Sequence, residues 1–131
     1  MTRFLATFLV LASVFAGVGC GQSPGNVAKE YVECTVRGDI EGMRACVAGE
    51  AAAKLADPMA PAAAAAAKAI IDQVGGVSGC EVVSESISGD AATVLIKLIP
   101  KQTAPELAMI FAQPRPVRLA KVDGAWKVIG D

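Results

Sequence analysis

Val117-Arg118-Leu119-Ala120-Lys121-Val122-Asp123-Gly124-Ala125-Trp126-Lys127-Val128-Ile129 is the stretch whose reading decides the fold. Two strand-like runs, Val117 to Val122 and Ala125 to Ile129, flank Asp123-Gly124, a dipeptide that favours tight hairpin turns. Just upstream, Pro114 and Pro116 confine Arg115 to extended geometry. Further back the period is again two. Ala92 to Ile99 places Val94, Ile96 and Leu98 on one face and Thr93, Leu95 and Lys97 on the other. Ser88-Gly89-Asp90 is a turn, and Cys80 to Ile87 pairs with the following strand as a hairpin. Between the hairpins, Thr103-Ala104-Pro105-Glu106 has capping-box spacing and predicts a short helix over Leu107 to Phe111.

The regime changes at Gly75-Gly76. Before it the spacing is helical. Val27, Tyr31 and Cys34 recur at i, i+4 and i+7 in a helix started by Ser23-Pro24 or Asn26 and ended by Gly38. Asp39 is a good N-cap for a second helix through Cys46, with Ile40, Met43 and Val47 inward and Gly49 closing it. Ala51 to Leu55 reads as a separate helical turn. Ala62 to Val74 reads as a helix because alanine has the highest helix propensity, with Ile70, Ile71 and Val74 as its apolar contacts. The run Ala62 to Ala67 reads as a surface for close packing on the sheet. The order is α+β: helices first, then an antiparallel meander.

The first residues carry an address. Arg3 makes a cationic start, and Phe4 to Ala16 is a mostly apolar stretch too short to span a bilayer. Gly17-Val18-Gly19-Cys20 resembles a lipobox, in which cleavage precedes a lipid-bearing cysteine. Gly17 stands where that motif usually has leucine. The resemblance implies a signal peptide over 1–19, lipidation of Cys20, and a tether through residue 25 made of small, polar, turn-forming residues. It also implies a cell-envelope location, on the outer membrane in a two-membrane bacterium, since Gly21 rather than aspartate follows Cys20.

Removing 19 of 131 residues leaves 112, enough for one domain with a modest core. Arg3 is the only charge removed, so 12 basic residues become 11 against 13 acidic, a net charge of −2. That balance gives no electrostatic footprint for nucleic acid. The chain contains no histidine, the commonest general base and metal ligand. No C-x-x-C spacing occurs, and neither a metal site nor a cofactor is expected. Cys34, Cys46 and Cys80 remain in the domain. Cys34 and Cys46 flank Gly38-Asp39, so a disulfide across a helical hairpin is expected, with three buried free thiols as the alternative.

The ending Asp123-Gly124-Ala125-Trp126-Lys127-Val128 resembles the close of small NTF2-like domains of bacterial lipoproteins, the DUF4878-type group. So do Ser23-Pro24 with Val27 and Tyr31, then Gly38-Asp39, then Gly89-Asp90-Ala91-Ala92-Thr93-Val94. The resemblance covers about residues 23 to 131. It implies an NTF2-like, cystatin-like fold over 26–131, with N-terminal helices packed on a curved antiparallel sheet around a cone-shaped cavity. Cavity candidates are Tyr31, Met43, Met109, Phe111 and Trp126. The expected role is non-enzymatic binding of a small apolar ligand or a protein partner. A self-associating scaffold, with a homodimer, is the alternative. A further one is an isomerase or dehydratase like those in related cones, which would need a carboxylate base that this chain does not display.

Overall fold

The computed structural model describes residues 22–73, 75–101, 109, 111 and 113–130. The expected signal peptide, Cys20, Gly21 and the capping-box segment lie outside the described residues; of the expected tether, Pro24 and Gly25 are instead buried in the first turn of a helix. Four helices precede four strands: α1 (Pro24–Arg37), α2 (Ile40–Cys46), α3 (Gly49–Ala56), α4 (Ala60–Gln73), β1 (Val77–Ser88), β2 (Ala91–Pro100), β3 (Arg115–Val122) and β4 (Ala125–Gly130). The strands form one antiparallel sheet in the order β1-β2-β3-β4, curved around the helices. Met109 and Phe111 are helical, as expected for that segment.

α1 is set by its ends. The Ser23 side chain accepts from the Asn26 N–H at 3.2 Å, and Pro24 occupies the first turn, where its missing N–H costs nothing. Gly38 turns left-handed at φ 70°, and the N–H groups of Gly38 and Asp39 return to the carbonyls of Thr35 and Cys34. The Gly25 N–H also donates to Glu85 Oε1 of β1 at 3.3 Å, which places a carboxylate at the positive end of the helix. Val27, Ala28, Tyr31 and Cys34 form the buried stripe, and α1 touches all four strands.

The sheet's inner face comes from period two. Val94, Ile96 and Leu98 are buried, and their partners follow the same face: Val94 opposes Val117, and Ala92 opposes Leu119. Asp123 and Gly124, with φ of 51° and 80°, make the β3–β4 turn with two left-handed residues, which matches strand twist. Three shifts of register were not foreseen, at Val77/Gly79, at Val82/Ser84 and at Arg118/Leu119, and the second re-aims β1. Val82 pairs with Ile96 and Ser84 with Leu95, so Val83 is an extra residue in β1. This bulge breaks the alternation and turns Glu85, rather than Ser84, toward the helix side.

Three expectations are corrected. Val47 does not continue α2. It is extended and bridges Val128 in parallel, with the Ala48 N–H donating to the Val128 carbonyl at 2.9 Å. Gly49 therefore begins α3 instead of closing α2. The alanine run does not pack closely on the sheet. α4 lies against α1, α2 and α3, only Ala60 of it is buried, and Ile70 is 63% exposed. High intrinsic propensity forms this helix locally, so its residues need little tertiary burial.

Candidate functional site

The helices do not fill the inner face. A cavity of about 90 Å³ remains between α1, α4 and the sheet. Tyr31, Val32, Thr35 and Val36 of α1 form one wall, and Ile71 of α4 another. Ile96 and Leu98 of β2, with Arg115 and Val117 of β3, form the floor and rim. The lining is chiefly apolar. The Thr35 hydroxyl is committed, donating to the Tyr31 carbonyl at 2.9 Å. No carboxylate lines the cavity among the described residues.

Of the five cavity candidates, only Tyr31 lines this space. Met43 and Phe111 are buried in the core, so their surfaces are used in packing. Met109 is 77% exposed. Trp126 is half-buried beneath the Lys121 ammonium, 5.4 Å from the ring centre, and edges a separate, more open cleft with Glu30 and Lys127. Being aromatic or flexible marks a residue as fit for a pocket or a core alike, and type alone does not choose between them. The sequence reading named none of the other eight as lining residues: Val32, Thr35, Val36, Ile71, Ile96, Leu98, Arg115 and Val117. A signal for two of them was present: counting back in twos from Leu119 puts Val117 and Arg115 on the inner face.

The Cys34–Cys46 disulfide expected from the sequence is not formed in this structure, where Cys34, Cys46 and Cys80 are free buried thiols. The Cys34 thiol is turned toward Gly42, so close that a Cβ there would lie 2.6 Å from the sulfur. It also accepts from Arg37 Nη2 at 3.4 Å. Burial raises the pKa of all three thiols, that of Cys46 to about 11. Protonated and shielded, they are weak nucleophiles. Among the described residues there is no group of three potential metal ligands, and no helix is long and apolar enough to cross a membrane.

A solved structure gives the fold class. A Campylobacter jejuni crystal structure, that of an NTF2-like protein whose name offers a transpeptidase activity only provisionally, superimposes with a TM-score of 0.66. The two sequences are 18% identical over 84% of this chain and 100% of that one. An NTF2-like protein of unknown function from Silicibacter pomeroyi matches with a TM-score of 0.47 and 12% identity, over 94% of this chain and 92% of that one. No protein-family model matches the sequence, and no curated protein does. The domain is NTF2-like in fold. At such identities the likeness speaks for fold and not for activity.

Proposed function

We propose that this chain is a DUF4878-type envelope lipoprotein whose NTF2-like domain binds a small apolar ligand and performs no chemistry. Residues 1–19 are its signal peptide, 20–23 its lipidated cysteine and tether, and 24–131 its domain, since α1 begins at Pro24. Lipid on Cys20 holds it to a membrane, the outer one in a two-membrane cell. The observation that carries the binding reading is the cavity itself: preformed, apolar, and walled by residues of both layers. The absence of histidine from the chain and of a carboxylate from the described lining weighs against the isomerase reading.

A small apolar probe tests this. Near-saturating toluene should raise the melting temperature of the wild-type chain by about 2–5 °C, as binding at a few times Kd would. Ile71→Trp should abolish the rise, because Ile71 is a half-exposed helix residue whose enlargement fills the cavity without entering the core. An equal rise in both chains would mean that toluene binds elsewhere.

The scaffold reading retains one specific support. Val82, Val83 and Ile87 are exposed on β1, the edge strand, which is a natural surface for self-pairing.

A further inference from the structure

We propose that the cavity selects an apolar ligand with an anionic head, a small monocarboxylate, and that Arg115 is the group that holds the carboxylate. This rests on the reading of the cavity as a ligand site and adds the class of ligand it takes. Arg115 opposes Ile96 in the β2–β3 ladder. Directly opposed residues of a ladder share a face, and Ile96 is 1% exposed on the inner one. A guanidinium therefore stands on the concave side of the sheet, at the open rim of a cavity whose interior is aliphatic and aromatic. Val117, two residues on, continues the same face and is buried.

No described residue uses that charge. Among the described residues Arg115 makes no ion pair and no side-chain hydrogen bond; the four ion pairs belong to Arg37, which has two, Arg44 and Lys68. The inner-face carboxylate of Glu85 is engaged by the Gly25 N–H at the start of α1. The one hydroxyl of Thr35 has its proton on the Tyr31 carbonyl. The proline on either side of Arg115 keeps its backbone extended, so the side chain is presented from a stiff support. A guanidinium offers two parallel N–H groups to a carboxylate, a geometry that an amide or alcohol head cannot match. The arrangement suits an amphiphile with its tail in the cavity and its carboxylate at the rim.

Hexanoate and hexanamide, equal in shape and different in charge, test it. The full chain, carried in phosphatidylcholine nanodiscs, is titrated with each while the methyl signals of Ile71, Ile96 and Val117 are followed. Hexanoate should bind about tenfold more tightly than hexanamide, the order expected of a charge-assisted pair at a partly solvated rim. Arg115→Gln should bring hexanoate down to the level of hexanamide and leave hexanamide unchanged, and Arg115→Lys should keep part of the preference. Unaltered methyl signals of Val94 and Val128 would certify the variants as folded. Equal binding of the two probes to the wild type would overturn the anionic head while leaving the cavity as a ligand site. A preference that survives Arg115→Gln would do the same. If neither probe moves the three methyl groups, the ligand-site reading itself fails and the inference with it.

Discussion

Changing Cys20 to serine should abolish incorporation of labelled palmitate, while Cys34→Ser, Cys46→Ser and Cys80→Ser leave it unchanged. Only Cys20 follows small residues at the end of an apolar run; the other three thiols are buried in the folded domain. The consequence for location should be large. Each buried methylene contributes about 0.8 kcal/mol, so two or three acyl chains hold a protein stably where one holds it weakly. The domain's charge offers no substitute, since residues 20–131 hold 11 basic against 13 acidic side chains. Joined to an ordinary secretory leader, the Cys20→Ser chain should move from the membrane pellet to the soluble fraction, a change of about a hundredfold or more in partition. The leader must be exchanged, because an uncut apolar segment could hold the variant to the membrane by itself. Palmitate retained on the Cys20→Ser chain would refute the anchor. The four residue-to-residue steps from Cys20 to Pro24 reach at most about 14 Å, so such an anchor would hold the start of α1 close to the lipid surface.

Leu119→Ala should lower the unfolding free energy by about 2–5 kcal/mol, measured by urea denaturation with an unchanged slope. Leu119 is 1% exposed and stands at the middle of the sheet, opposite Ala92 on β2 and Val128 on β4. Ala92 is too small to follow the retreating side chain, and Val128, itself fully buried, is fixed in the ladder and beside the Val47 bridge. The void would therefore stay largely open, and cavity cost adds to the lost burial. Against a total of about 5–15 kcal/mol for a domain this is a major loss. Ser86→Ala, at an exposed position of β1, should change stability by no more than about 0.5 kcal/mol. A Leu119→Ala midpoint equal to that of the wild type would mean that the inner face is not where β3 places it.

The sequence made some parts of this protein plain and hid others for physical reasons. Asp123-Gly124 demands a turn that few other dipeptides can make, and Gly38-Asp39 ends one helix and caps the next, so both junctions were legible. The alternation of Val94, Ile96 and Leu98 gave the inner face of β2 directly. The bulge at Val83 was hidden, because an extra residue in one strand is defined only against its partner. Alanine content announced α4 but not its position, since propensity acts on the backbone and is silent on what the helix meets. The site was the least legible part. Only Tyr31 of the expected lining is in the cavity, because large apolar residues serve core and pocket equally. Arg115 passed as a residue held between two prolines, and its inward direction emerges only from the register with Ile96.

The most direct test of the ligand-site account is the native mass spectrum of the chain released gently from the cells' own membranes. It should show a population heavier than the lipidated chain by one small molecule, lost on denaturation and missing from Ile71→Trp. A spectrum in which both chains fly at the bare lipidated mass, or both carry the same adduct, would contradict it.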